Sequence, residues 1–338
     1  MTKRLLLLAF ALCSSFACSE KASKAYLAPF APEKSVTDGN ASDVFDPKVD
    51  ILFVVDNSGS MSTHQQNLAR NIDLFVGAFL KTSIIDYNIG VTTTDVDGMA
   101  QPCCGKLAGQ FRVVNKSTPN ASGVLKSNLM VGTSGSGTEQ PFAGASQALD
   151  VNMLNGYNAG FVRKSAALTV IFITDAEDQS QRISATDLLN QLLALKNGDR
   201  KKILSYGAIV PTGVNNCERD EPNATPRKIE EFLNIIPNGG GGKNIVSLCA
   251  PDYGQRLADF ALQIVDQISS QIFLTRLPDV KSLQVFYGKS ELPRDVRKGW
   301  AYDPENNAIL LGDQIDWASQ PPGSKVEVKY REARGDSN

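Results

Sequence analysis

Asp56, Ser58 and Ser60 stand at alternate positions in the stretch Asp56-Asn57-Ser58-Gly59-Ser60-Met61-Ser62. Carboxylate and hydroxyl oxygens are hard donors, suited to magnesium, manganese or calcium rather than to zinc or copper. At positions i, i+2 and i+4 of a tight loop, with Gly59 free to take an unusual turn, all three oxygens can face one point. The same residues ahead of an amphipathic helix can instead cap its free amides, so this loop alone leaves two uses open. Two further segments weigh toward a metal. The run Gly132-Thr133-Ser134-Gly135-Ser136-Gly137-Thr138 leads into a helical pattern and offers the Thr138 hydroxyl, and the apolar run Val170-Ile171-Phe172-Ile173-Thr174 ends in Asp175.

These residues need a scaffold that brings separate loops to one edge, and the pattern supplies it. Residues 49–55 form a nearly unbroken apolar run, as in a strand buried on both faces of a mainly parallel sheet. Leu68, Ile72, Phe75, Val76 and Phe79 then recur at helical spacing. Strand-like stretches follow at 87–94, 113–114 (a short edge strand), 166–174, 203–210 and 244–248. Helical stretches fall at 142–154, 185–195 and from the Thr225-Pro226 cap to 235, with a closing helix marked by Leu257, Phe260, Ala261, Ile264 and Ile268. This alternation predicts an α/β fold with helices on both faces of a central, mainly parallel sheet. In such sheets ligands bind at the carboxyl ends of the strands, where Asp56 and Asp175 fall. After about residue 270 the character changes to short strand candidates at 272–275, 283–287, 308–311 and 326–330, which predict a small all-β module at 272–334, packed on the main domain or independent of it.

The arrangement closely resembles the von Willebrand factor type A domain over residues 48–271. That family's metal-ion-dependent adhesion site is a D-x-S-x-S loop, a distant threonine and an aspartate after a later strand. Asp56, Ser58 and Ser60 match the loop, Thr138 the threonine, and Asp175 the final aspartate. Ala176 stands where the family often has glycine, followed by Glu177 and Asp178, which read as a solvated loop beside the site. The resemblance implies a divalent cation, Mg2+ first and Mn2+ or Ca2+ as alternatives, with a coordination position left open. It also implies a protein partner whose Asp or Glu fills that position, in a non-enzymatic, adhesion-type role.

Composition sets the outer bounds. The chain has 338 residues, 42% hydrophobic and 21% charged, and a formal net charge of −2, which gives no electrostatic reason to expect nucleic acid as a partner. Residues 1–17 read as a signal peptide, with Lys3 and Arg4 ahead of a short apolar run. Ser15-Phe16-Ala17-Cys18 resembles a bacterial lipobox, which would make Cys18 the lipidated first residue; an ordinary cleavage site is the alternative. Residues 18–47 read as a flexible tether. With Ser19 after the lipid position, the expected location is the outer membrane of a Gram-negative envelope.

Of the 6 cysteines, Cys103, Cys104, Cys217 and Cys249 follow this leader, and an even number in an exported chain favours disulfides. The favoured pair is Cys217 with Cys249, leaving Cys103 and Cys104 to join each other or stay reduced. A metal-dependent hydrolase is the main alternative function, yet His64 is the only histidine and no G-x-S-x-G elbow is present. A scaffold with a purely structural metal is the third reading. The glycines at 239–242 lack the lysine-serine pair of a phosphate loop and read as a surface loop. Trp300 and Trp317 read as core of the β module rather than a binding patch.

Overall fold

The first strand lies within the segment expected to be a tether. In the computed structural model Asn40–Phe45 forms β1, antiparallel to the last strand, with Asn40 opposite Arg331 and Phe45 opposite Val326. Only Val44 and Phe45 of this strand are large and apolar, so hydrophobic periodicity carries no trace of it. Its backbone ladder and the hydrogen bond from Tyr330 Oη to Asp43 (2.7 Å) hold it. The tether expectation is corrected for these residues. The structure describes residues 40–81, 84–212, 225–238, 242–250, 252–321 and 323–333. The signal peptide, Cys18, the earlier part of the tether, Cys217 and glycines 239–241 lie outside the described residues.

From β1 the chain turns through Asp46 and Pro47 into β2 (Lys48–Val55), then α1 (Ser62–Lys81), β3 (Asp86–Thr93), β4 (Val114–Asn115) and α2 (Ala121–Leu129). There follow α3 (Pro141–Ala148), α4 (Val151–Asn155), β5 (Ala167–Thr174), α5 (Ala185–Leu195), β6 (Ile203–Ile209), α6 (Arg227–Ile235), β7 (Ile245–Ser247) and α7 (Tyr253–Ser269). The short strands β8 (Gln271–Phe273), β9 (Gln284–Tyr287), β10 (Ser290–Glu291), β11 (Trp300–Asp303), β12 (Ala308–Leu311) and β13 (Val326–Arg331) end the chain's described part.

Six strands form the central sheet in the order β4-β3-β2-β5-β6-β7, parallel throughout except at β4. The fold is the expected α/β class. Alternation along β2 sends Val49, Ile51, Phe53 and Val55 to the side of α1 and α7, and Leu52 and Val54 to the side of α3, α5 and α6. Each such fully buried side chain contributes about 1.5–3 kcal/mol of transfer free energy. The second and third sheets, β1-β13-β9-β10 and β11-β12-β8, are antiparallel. Their inward side chains, among them Val285, Tyr287, Ile309 and Val328, belong to the same apolar cluster as α1 and α7. Trp300 is buried, with its indole N–H donating to the Leu292 carbonyl (3.1 Å), and Trp317 stacks edge-on against Tyr287.

The helix expected over 142–154 is two helices. Asp150 accepts the amide of Asn152 (2.9 Å) and so starts α4, while Asn158 takes the Ala148 carbonyl (3.0 Å) at the end of α3. Among the described residues no helix is long and apolar enough to cross a membrane.

Candidate metal centre

Parallel pairing puts the ends of β2 and β5 side by side. The Asp56 amide still donates to the Ile173 carbonyl (2.9 Å), one residue past the end of β2, and this brings Asp56 beside Thr174 and Asp175. Thr174 donates its hydroxyl to Asp56 Oδ2 (2.6 Å), and the Ser58 amide donates to Asp56 Oδ1 (2.8 Å). Ser58 then lies at hydroxyl-to-hydroxyl distance from Ser60 (3.1 Å), and Ser60 donates to Asp175 Oδ1 (3.0 Å). Ser58 precedes the short 3-10 turn Gly59–Met61 without a side-chain cap hydrogen bond, so its hydroxyl is spent on the cluster and not on capping.

Four of the five expected residues therefore meet. Asp56, Ser58 and Asp175 are buried and Ser60 is half-buried. Thr138 stands differently: it is exposed, its amide donates to Ser136 Oγ (3.0 Å), and among the described residues no hydrogen bond joins its side chain to the other four. The next residue, Glu139, occupies the interior instead. It is 5% exposed, and its carboxylate accepts Gln179 Nε2 (2.7 Å). Glu139 was not among the residues expected at this edge from the sequence. Its one signal was an acid at the junction between a glycine-rich loop and the Pro141 start of an apolar helix.

The loops are braced from outside. Gln65 on α1 donates to the carbonyls of Asp56 (2.8 Å) and Gly132 (2.7 Å), tying the first loop to the glycine-rich one. The Gly135 amide donates to the Asn57 carbonyl (2.8 Å), and a Cβ at Gly135 would stand 2.3 Å from Asn57 Cγ, so a larger residue there would displace the Asn57 side chain. On the far side Ser136 donates to Asp97 (3.1 Å). Asp97 belongs to a loop wound on the buried Asp95 carboxylate, which accepts the amides of Asp97, Gly98, Met99 and Ala100. Cys103 and Cys104, at the end of that loop, form a disulfide with each other. Cys249 is also disulfide-bonded.

Glu177 and Asp178 are a correction. They are not a solvated loop. Glu177 accepts the amides of Arg227 (2.9 Å) and Lys228 at the start of α6, in place of the expected Thr225 cap. Asp178 is buried and accepts the Phe142 amide (3.0 Å) at the start of α3. Both carboxylates are thus engaged in fixing helices that flank the site.

Electrostatics separates this site from ordinary polar packing. Burial, with the neighbouring Asp175 charge adding to it, pushes the Asp56 carboxyl up to about 6. Burial pushes Glu139 up to about 7, with the charges of Asp56 and Asp175 adding to the rise. Hydrogen bonds from Thr174 and Ser58 partly offset these effects. Buried carboxylates that repel one another are the situation a cation relieves. Thr94, whose amide and carbonyl bond Val55 and Gln140, has a buried hydroxyl with no partner among the described residues, and the same holds for the Asn57 carboxamide. Among the described residues no group of three or more His, Cys, Asp or Glu is arranged to hold a metal on its own. The donors here are mixed hydroxyls and carboxylates, which fit a hard divalent cation.

Site and fold together define an α/β domain with an oxygen-lined cluster at the carboxyl edge of its parallel sheet. The chain matches no family model, and no curated protein is similar to it. Among solved structures it is similar to the pilus adhesin SpaC from Lactobacillus rhamnosus GG, at 13% identity over 88% of this chain and 42% of that one, with a TM-score of 0.41. It is similar to a von Willebrand factor type A protein from Catenulispora acidiphila at 12% identity, 88% and 66% coverage, and a TM-score of 0.37. Proximal thread matrix protein 1 from the mussel byssus, with a zinc-occupied MIDAS motif, aligns at 11% identity, 70% and 52% coverage, and a TM-score of 0.42. The chain spans less than two thirds of each of these.

Proposed function

We propose that this protein is a metal-dependent binding protein of the von Willebrand factor type A kind, which holds a divalent cation at Asp56, Ser58, Ser60, Thr138 and Asp175 and grips the carboxylate of an Asp or Glu on a protein partner. The observation that carries the reading is the unbroken chain of contacts Thr174–Asp56–Ser58–Ser60–Asp175 across two strand ends. Serine hydroxyls are neutral ligands, so a cation bound largely through them keeps much of its charge for an incoming carboxylate. Mg2+ suits this best, since its octahedral shell is completed by one further oxygen, and Mn2+ or Ca2+ accept the same donors. Lipidation at Cys18, a tether to about residue 39 and an outer-membrane location remain part of this proposal, as does the Cys217–Cys249 pairing.

The test is calorimetric titration of the full chain with Mg2+ and Mn2+, followed by capture from cell envelopes with and without EDTA. One cation per chain is expected, abolished by Asp56→Ala, with capture lost on chelation and in that variant. A partner set indifferent to EDTA overturns the gripping role, and absence of cation binding overturns the site.

A further inference from the structure

We propose that the Cys103–Cys104 disulfide is a redox switch on the loop 95–105, opened by a dithiol reductant and closed again by a disulfide oxidant. The bond joins neighbours in the chain. A cross-link stabilises a fold the more, the longer the chain it encloses, and this one encloses none, so its effect is confined to the loop in which it sits. It is also within reach. Cys103 is 3% exposed and Cys104 is half-buried, so an incoming thiolate meets the Cys104 sulfur first. Gln101 Nε2 stands 3.1 Å from the Cys103 sulfur, placed to donate to the thiolate that leaves. The backbone supplies the third observation: Cys104 has a φ of 58°, a left-handed conformation that a residue other than glycine keeps only where its surroundings hold it.

The chemistry balances with a dithiol alone. One thiolate of the reductant attacks Cys104 Sγ, the bond to Cys103 breaks, and Cys103 departs as a thiolate that takes up a proton. The second thiol of the reductant, ionised in turn, attacks the reductant sulfur of the mixed disulfide and frees Cys104 as a thiol. Two electrons and two protons pass to the protein, and the reductant becomes an intramolecular disulfide. Two unbonded sulfurs cannot stay at bonding distance, and nothing then ties Cys104 to its left-handed conformation. The contacts that depend on it are close by. The Cys104 amide closes the loop on the Asp95 carbonyl (2.9 Å), and Gly98 lies over the pair, where an added Cβ would stand 3.9 Å from each sulfur. Asp97 of the same loop accepts Ser136 of the glycine-rich loop (3.1 Å). Reduction therefore loosens the tie between two loops at the carboxyl edge of the sheet, whether or not that edge binds a cation.

The experiment titrates the full chain with dithiothreitol, alkylates the freed thiols at each step and locates them by mass spectrometry. Cys103 and Cys104 should be labelled while Cys249 is still protected, because the fold lends their bond no support. Hydrogen exchange on that selectively reduced chain should be roughly tenfold or more faster over residues 96–104 and 133–138, with β5 unchanged, and should return to the oxidised rate after treatment with oxidised glutathione. The double variant Cys103→Ser, Cys104→Ser should exchange at the fast rate over both segments with no reductant added. Labelling of Cys249 before or together with the pair overturns the switch. So does unaltered exchange over either segment in the reduced chain or in the double variant, and so does faster exchange throughout β5, which would make the bond a staple of the whole fold.

Discussion

Asp56 and Glu139 keep their protons far above the ordinary carboxylate range, near 6 and 7, because burial and neighbouring negative charge penalise the ionised forms. The folded, cation-free protein therefore binds more protons than the unfolded chain from about pH 4 to about pH 7, and the stability these groups contribute is fully present below that window and lost as pH rises through it. Melting curves in EDTA should show the gap between wild type and Glu139→Gln widening in favour of the variant as pH rises from about 5 to about 8. A gap that narrows with rising pH would contradict the assignment of these shifts. With Mn2+ the dependence turns round, since the cation must displace those protons, and its apparent affinity should fall as pH drops below about 7.

At the scale of elements, the site depends on close approach. Gly144 lies on α3 directly over the end of β3, where an added Cβ would stand 2.3 Å from the Thr93 carbonyl oxygen. Gly144→Ala should push α3 away from the sheet and lower stability by about 1–3 kcal/mol, measured by urea unfolding. The sequence made much of this level legible. Buried strands β2, β5 and β6 announce themselves because both faces are covered and most of their residues are apolar, and α5 stands where its Leu188, Leu189 and Leu192 spacing puts it. Helix α2 was not legible, since Gly123, Ser127 and Asn128 dilute its short apolar face of Val124, Leu125 and Leu129 and it is started by the Asn120 side chain. Strand β1 was invisible for a related reason: its pairing is made by backbone. Within the site, Asp56, Ser58, Ser60 and Asp175 were readable from spacing. Glu139 was not, because a lone acid after a threonine has no local pattern, and only the fold buries it against Gln179.

Across the whole molecule the charged interior is split between the two edges of the sheet. At the amino edge, away from the site, Asp50 of β2 accepts the Arg163 amide (2.6 Å) and guanidinium (2.7 Å), with the fully buried Lys196 ammonium at 3.5 Å. Burial raises the Asp50 carboxyl and lowers Lys196, yet their pairing keeps the network intact. Asp50→Ala would leave Lys196 buried without its counter-charge and should cost about 3–5 kcal/mol in denaturant unfolding. Cation affinity of the remaining folded protein should be unchanged, because the site lies at the opposite end of β2. The pairing of β1 with β13 has a mechanical consequence at this scale. It makes the entire central sheet a loop closed by a six-residue clasp. A pull transmitted along the chain ahead of Asn40 reaches that clasp first, passes through Asp46 and Pro47, and then runs along the central strand β2 to Asp56. The strand that bears the tension is the one that leads into Asp56, so such a load passes on covalent bonds from the clasp to the strand-end cluster.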